Sequence, residues 1–329
     1  MRVDELRTTL NKYNGAELKE IIVSLYKMIP KSRKEDSSLD ELLLNFTHEK
    51  SKTPDKKIKP INFEPLKTEI EQFMEYADMQ YYLAPNKYVR KEQRSKWRFE
   101  VKRFIKELLP VGGENSEEAG RLLADIYEML CYACGYYVFR TEDPFSALGY
   151  RQSDLLQLVL RKIFYNGFNL DAMKKAVFLT LDSTVDRETL HVELMFALLD
   201  ILKTTDTKEM ALSQCVAYQK EYDSYQASKD EFKYPSGNKY RRERHLNYAT
   251  ELYLLLKFSL LEYDDGIDYF WKHHKEINKE ITLYCLLRLL DDDSLSGLWI
   301  REYEKAVANG IKPRNYLQEK YAKLKAEPV

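Results

Sequence analysis

The sequence predicts an all-α protein, and three observations carry this prediction. Glycine and proline, which the turns of β-sheets require, are scarce, with 11 Gly and 10 Pro in 329 residues. Apolar residues recur at three- and four-residue spacing in one segment after another. Capping signals and helix stops separate these segments, and the connections are short. A long chain with so few turn residues is therefore expected to be helical for most of its length.

The bulk composition is typical of a folded protein. The chain is 44% hydrophobic and 32% charged, and 52 Lys and Arg are balanced by 53 Asp and Glu. The net charge therefore gives no indication of a partner. The sequence starts with charged residues and has no apolar run near the ~20 residues that span a bilayer. We therefore expect a cytoplasmic protein with no membrane partner.

Residues 1–47 are predicted to form a small N-terminal helical domain of three short helices. Pro30 ends the second of these helices, and Ser38 with Glu41 forms a capping box for the third. The character then changes, because residues 48–62 are polar and basic, with two prolines and no periodicity. This stretch predicts an exposed linker.

Residues 63–329 show one helical pattern after another, which predicts a larger all-helical domain with a polar break at 228–239. The helices are expected, in order, at 66–77, 87–109, 116–130, 155–164, 172–181, 190–202, 210–225, 246–261, 267–275, 281–290, 298–308 and 316–324. Two stretches, 194–202 and 253–261, are apolar on nearly all sides, which predicts that other helices surround them.

Helix pairs begin near residues 116, 152, 187 and 240. A spacing of roughly 35 residues is typical of stacked helical hairpins, although no repeat consensus accompanies it. The predicted architecture is therefore an irregular α-α superhelix of stacked helical hairpins. A multi-helix globular bundle is the alternative.

The strongest local signal is a basic helix over residues 87–106, where nine Lys and Arg face only two Glu. Its second half is an ordinary amphipathic helix, whose apolar stripe begins at Trp97. In the first half, Arg90 and Arg94 lie on the line that continues this stripe, and burying them unpaired would be costly. Either the helix breaks near Ser95, or its first turns extend beyond the core.

A basic surface flanked by aromatic residues suits phosphates and nucleic acids, because Lys and Arg neutralise charge while rings stack on bases. The other interpretation is a solvated face paired with acidic neighbours. A second basic segment follows the polar break. The candidate partner- or phosphate-binding residues are Arg90, Lys91, Arg94, Trp97, Arg241 and Arg242.

Asp264, Asp265 and Asp268 match the DDxxD pattern, which is similar to the magnesium-binding motif of the all-α isoprenoid synthases. The resemblance implies a magnesium-dependent enzyme that acts on a diphosphate, with these three carboxylates as metal ligands. The residues themselves favour another interpretation. Gly266 predicts a break between helices in this segment. Asp264 and Asp265 are then expected to cap the helix that begins here. No other metal site and no cofactor is predicted.

The cysteines and histidines are predicted to have structural rather than catalytic or metal-binding roles. Cys131 and Cys134 form a CxxC inside an apolar helix, whereas redox pairs follow a strand. All four cysteines are expected to be reduced and buried, and none has zinc-finger spacing. His191 is expected to be a hydrogen-bonded core or boundary residue, and His273 and His274 are expected at the surface.

The common catalytic fingerprints do not occur in the sequence. The predicted function is therefore a non-catalytic helical interaction or scaffold protein that binds a macromolecular partner, with a protein favoured over a nucleic acid. The alternatives are a nucleic-acid-associated protein that uses residues 87–106, and the diphosphate enzyme described above. The pattern indicates no oligomeric state.

Overall fold

The computed structural model describes residues 9, 12–28, 62–224 and 239–326. Within these residues the chain forms fifteen α-helices, three short 3₁₀ turns and no strand, which confirms the all-α class. The chain divides into two compact units, residues 1–61 and residues 62–329. None of the described helices combines the length and the apolar character that crossing a lipid bilayer requires.

In the first unit the structure describes one helix, α1 (Gly15–Met28). Asn14 and Glu17 cap it reciprocally, because each side chain accepts the backbone N–H of the other, at 2.8 Å and 3.0 Å. The third predicted helix and almost all of the predicted linker at 48–62 lie outside the described residues. The division into 1–47, 48–62 and 63–329 stays a prediction.

The second unit contains the other fourteen helices. In chain order they are α2 (Phe63–Asp78), α3 (Lys91–Arg94), α4 (Trp97–Leu108), α5 (Ser116–Gly135), α6 (Pro144–Leu148), α7 (Gln152–Ile163), α8 (Leu170–Asp182), α9 (His191–Leu199), α10 (Thr205–Ser224), α11 (Lys239–Ser259), α12 (Tyr263–His273), α13 (Lys279–Leu289), α14 (Ser296–Ala308) and α15 (Asn315–Ala326).

The helices that begin the predicted pairs pack in a row. α5 contacts α7, α7 contacts α9, and α9 contacts α11. Their second members also pack on one another, since α8 contacts α10. The superhelical arrangement of these pairs stays a prediction.

The two apolar stretches have different surroundings. α11 packs against α8, α9, α10 and α12, and Leu254 and Leu256 are completely buried. The prediction for 253–261 is therefore confirmed for the helical part, whereas Leu261, which follows the end of α11, is 73% exposed. By contrast, α9 is a short helix whose Phe196 is 50% exposed, so the stretch 194–202 is not covered on all sides. Here the prediction is wrong, because α9 packs mainly on α7, α8 and α11 and leaves one side of the helix open.

A separate apolar core joins the last five helices. Phe270 on α12, Leu283 and Leu286 on α13, and Trp299 on α14 are almost fully buried within it. This core holds the link between α12 and α13 in place, and that link carries the polar cluster described below.

Candidate interaction surface

A helix break at Ser95 divides the basic segment. α3 ends at Arg94, Ser95 and Lys96 form the link, and α4 begins at Trp97. The break releases the upstream arginines from the apolar stripe of α4, so that Arg90 stays exposed while Val101 is completely buried. The first of the two expected arrangements is therefore confirmed.

An aromatic core lies beneath the basic segment. The Trp97 indole stacks on Phe139 with ring centroids 3.9 Å apart, and Phe73 packs against both Tyr82 and Phe104. Trp97 is only 5% exposed. The structure therefore corrects its assignment as a partner-binding residue: its large ring is buried against other rings, where it supports α4 from below.

Most cations of the segment have no acidic partner. Arg103 pairs with Glu69 and with Glu107. Arg94 is half-buried, and its Nε donates a hydrogen bond to the Val89 carbonyl oxygen at 3.2 Å. The remaining cations are exposed and form no ion pair with any described residue. These seven, which we call the basic surface, are Lys87, Arg90, Lys91, Lys96, Arg98, Lys102 and Lys106.

The two acids of the segment do not neutralise the basic surface. Glu100 is turned toward the core, where it accepts a hydrogen bond from the Tyr82 hydroxyl at 3.2 Å. Partial burial raises the pKa of Glu100 above its ordinary value. Glu92 is exposed. Lys96 interacts electrostatically with Glu100, but no cation of the basic surface forms an ion pair with either acid.

Asn86 holds the loop that leads into the basic surface. Its side-chain Nδ2 donates to the carbonyl oxygens of Tyr81 and Ala84, both at 2.7 Å. Its Oδ1 accepts the backbone N–H groups of Tyr88 at 2.9 Å and Val89 at 2.7 Å. One side chain therefore satisfies four backbone groups and gives the loop a defined shape.

Tyrosine rings flank the first cations of the basic surface. Tyr81 and Tyr88 stack with centroids 4.6 Å apart, and Tyr76 packs against both. Tyr88 is 50% exposed, and Lys87 Nζ lies 5.2 Å from the centre of its ring. The loop therefore presents an aromatic face next to positive charge.

Phe99 presents a second aromatic face on α4. It is 59% exposed, and the Arg98 guanidinium lies 5.0 Å from its ring centre. Lys102 and Lys106 follow Arg98 at four-residue spacing, so the three cations share one side of the helix. Phe99 lies outside the apolar stripe of α4, so the packing of this helix does not explain why a large ring is exposed there.

The second predicted basic segment begins α11. Arg241 and Arg242 belong to this helix, but their side chains lie outside the described part of the chain. Their assignment to the binding site stays a prediction.

The break expected at Gly266 is wrong, since Gly266 lies inside the continuous helix α12. A Cβ atom at this position would lie 3.0 Å from the Cβ of Lys257 and 3.1 Å from Cδ1 of Leu254. The glycine therefore permits the close approach of α12 to α11 instead of ending a helix.

The aspartates of the same motif each have their own neighbourhood. Asp264 pairs with Arg301 at 2.7 Å, and Asp265 lies 3.8 Å from the Lys257 ammonium. Asp268 is exposed. The three carboxylates do not form a compact group of metal ligands among the described residues. The geometry therefore favours acidic residues in the first turns of a helix, where they stabilise its N-terminus.

An acidic groove of about 410 Å³ lies between α2 and α5. Its lining consists of Glu71, Met74, Glu75, Asp78, Leu122, Asp125, Glu128 and Met129. Arg121 pairs with Glu71 and Asp125, and Lys175 pairs with Glu128. Several acids close to the basic segment in the sequence thus line their own groove, which helps to explain why the basic surface lacks partners.

Several core expectations need correction. His274 is buried, because the turn after α12 places it against α11. His191 is buried as expected, and its ring stacks on Tyr248 with centroids 3.6 Å apart. All four cysteines are free thiols, and two of them, Cys134 and Cys285, are only half-buried.

No protein-family model matches this chain, and comparisons with curated proteins and with solved structures give no match either. The interpretation of the basic surface therefore depends on its own geometry and charge.

Proposed function

We propose that this protein is a non-catalytic interaction protein that binds an acidic segment of a partner protein on the basic surface. The supporting observation is the set of seven exposed cations without an ion pair among the described residues. Cations without an internal partner are available to an external anion, and complementary charge accelerates encounter and sets orientation.

The aromatic residues beside these cations support the same proposal. Tyr88 and Phe99 are large, exposed and set close to Lys87 and Arg98. Aromatic and arginine side chains are enriched among the residues that dominate the binding energy of protein interfaces. The loop held by Asn86 is also ordered before binding, which reduces the entropy lost on association.

A single-stranded nucleic acid is the second candidate partner. Each exposed ring lies close to 5 Å from a cation. Proteins that bind single strands combine cations for the phosphates with rings on which the bases stack. Both candidate partners are negatively charged, so an experiment has to distinguish them.

Fluorescence anisotropy with two labelled probes of equal charge makes this separation. One probe is a peptide rich in Glu and Asp, and the other is a short single-stranded oligonucleotide. We expect the full chain to bind the peptide more tightly, and we expect that binding to weaken between about 50 mM and 200 mM salt. Tighter binding of the oligonucleotide supports the second candidate, and no binding of either probe contradicts the proposal.

Charge reversal locates the binding site. Arg90→Glu combined with Lys91→Glu is expected to weaken peptide binding by about tenfold or more, because attraction is replaced by repulsion. The matched control is Lys305→Glu with Lys312→Glu, which changes the net charge equally at two exposed lysines without an ion pair among the described residues. An equal loss in both variants would show non-specific attraction and would contradict the assignment.

A further inference from the structure

A polar cluster lies where α11, α13 and the link between α12 and α13 meet. A ring nitrogen of His274, a carboxylate oxygen of Glu276 and Sγ of Cys285 lie within 4.8 Å of one another. Among the described residues, no other three His, Cys, Asp or Glu side chains come together in this way. The histidine follows α12, the glutamate lies in the link, and the cysteine belongs to α13.

The histidine of this cluster has one nitrogen without a partner. The His274 side chain is 1% exposed, and its Nε2 lies 3.4 Å from Oε1 of Glu251. Its Nδ1 is buried and has no hydrogen-bond partner. Leaving such an atom unsatisfied costs about 1–3 kcal/mol, and a metal ion bound to this nitrogen would offset that cost. Stacking on Phe270, with ring centroids 4.4 Å apart, holds the imidazole in this orientation.

Two residues of α11 support the cluster from one side. Glu251 is 5% exposed and accepts the N–H of the His274 ring, which is the arrangement found behind metal-binding histidines. Asn247, one turn earlier, donates its Nδ2 to Oε1 of Glu276 at 3.0 Å. It also exchanges hydrogen bonds with the backbone of Lys275 in both directions. The link that carries the glutamate is therefore positioned from the core.

We propose that His274, Glu276 and Cys285 bind a transition-metal ion of the zinc class, with Glu251 orienting the imidazole. A nitrogen, a sulfur and an oxygen donor suit zinc, whereas magnesium and calcium select oxygen donors alone. Tetrahedral zinc places its ligand atoms about 3.5 Å apart, and the three donors already lie within 4.8 Å of one another, so only a small movement brings them into zinc geometry. Glu276 is exposed and lies in a link, which allows this movement. A fourth position is left for water or another ligand.

The charges of the cluster also fit a divalent cation. Burial, followed by the nearby Glu251 and Glu276, raises the pKa of the Cys285 thiol to about 12. The thiol therefore keeps its proton when no cation is present. A divalent ion reverses this balance, because the same two carboxylates attract it. On binding, the S–H bond breaks, a sulfur–metal bond forms, and one proton passes to the solvent.

Cobalt titration of the full chain tests the proposal, because a thiolate bound to Co²⁺ gives a charge-transfer band. We expect about one Co²⁺ per chain, with a thiolate band that Zn²⁺ abolishes by displacement. Cys285→Ser is expected to lose the band while the fold persists. Cys134→Ser, at the other half-buried cysteine, is the matched control and should behave like the wild type.

Two further variants keep the test independent of folding. Glu276→Gln changes an exposed side chain and is expected to weaken Co²⁺ binding about tenfold or more, because a charged ligand is lost. Glu251→Gln is expected to weaken binding by about 10- to 100-fold through the orientation of His274. In weak buffer near pH 7, wild type should release about one proton per metal and Cys285→Ser none.

Three results would overturn the metal site. These are no Co²⁺ binding by wild type, a thiolate band that survives in Cys285→Ser, and unchanged affinity in Glu276→Gln. Unchanged affinity in Glu251→Gln would overturn the role given to that carboxylate. Binding of the anionic peptide does not enter any of these measurements.

Discussion

The basic surface and the His274 cluster are both incomplete, but in opposite ways. The basic surface consists of neighbours in sequence, exposed on a loop, on the short helix α3 and its link, and on α4. The cluster is assembled from α11, the link after α12 and α13, and its key nitrogen is buried. Leaving solvated cations without an ion pair costs little free energy, and an extended row of them suits a large partner. An unpaired nitrogen in the core is costly and fits a small ligand.

The two regions are also built alike. Each polar feature rests on a buried aromatic ring, Trp97 under the basic surface and Phe270 beside His274. An asparagine clamps the loop in each region, Asn86 in the first and Asn247 in the second. This parallel allows matched substitutions that change one region and leave the other as its control.

The largest expected effect comes from the two aromatic rings. Trp97→Ala and Phe270→Ala should each lower the free energy of unfolding by about 3–5 kcal/mol, because each leaves a cavity in a packed core. Urea denaturation measures this loss. In the molecules that remain folded, Trp97→Ala should weaken peptide binding and leave Co²⁺ binding unchanged. Phe270→Ala should weaken Co²⁺ binding and leave peptide binding unchanged. A loss of both activities in either variant would contradict the independence of the two regions.

The next effect distinguishes the two clamps. Asn247→Ala should lower the free energy of unfolding by about 2–3 kcal/mol, because the Asn247 side chain is buried and its three hydrogen bonds are partly shielded from water. Asn86→Ala should cost about 1 kcal/mol, since solvent can replace its hydrogen bonds at the surface. Thermal or urea unfolding of the two variants checks the order. The reverse order would show that the loop held by Asn86 contributes more to the free energy of unfolding than its exposure implies.

A surface substitution should have little effect on folding. Phe99→Ala is expected to change the free energy of unfolding by less than about 0.5 kcal/mol. It should weaken peptide binding by about tenfold, because the ring is a candidate contact. Phe196→Ala, at an exposed phenylalanine of α9, is the matched control and should leave binding unchanged. Equal binding by the two variants would remove Phe99 from the proposed interface.

The smallest effect at neutral pH concerns His191, a buried histidine without a carboxylate like Glu251. Burial, followed by the nearby His245, lowers the pKa of His191 from 6.5 to about 3. Below pH 6.5 the unfolded chain therefore takes up a proton that the folded chain does not. The resulting stability is present above pH 6.5 and is lost as the pH falls toward 3.

We expect this histidine to lower the free energy of unfolding by about 1.4 kcal/mol on going from pH 7.5 to 5.5. His191→Phe should remove that part of the pH dependence, because the replacement ring cannot titrate. Urea midpoints measured across this range check the difference. A slope in His191→Phe equal to the wild-type slope would assign the acid sensitivity to other groups. Co²⁺ binding should be the same in both proteins.

Sequence reasoning located the cations of the basic surface but not which of them lack acidic partners. The charge run at 87–106 and the conflict between Arg90 and the Trp97 stripe were visible as a pattern, and the break at Ser95 resolves that conflict. Pro85-Asn86 was an available turn signal for the loop. The sequence analysis wrongly counted Trp97 among the partner-binding residues. Its ring is covered by Phe139, which is distant in sequence, so the local pattern did not show this contact.

The His274 cluster could not be predicted from spacing. His274 and Glu276 are close in sequence, but Glu251 and Cys285 come from two other helices. His274 was expected at the surface because it follows Trp271 on a short helix, whereas its burial comes from packing against α11 and Phe270. A buried ring nitrogen without a partner becomes visible only when every neighbour is in place.

By itself, the sequence determined the helical class, the approximate positions of most described helices and the one strongly basic segment. These properties depend on hydrogen bonds and apolar spacing within a few residues, so local patterns suffice. Only the tertiary structure decided which cations lack acidic partners, why Gly266 belongs inside a helix and which four side chains meet at His274. Those outcomes depend on contacts between helices far apart in the chain, where packing and desolvation select the neighbours.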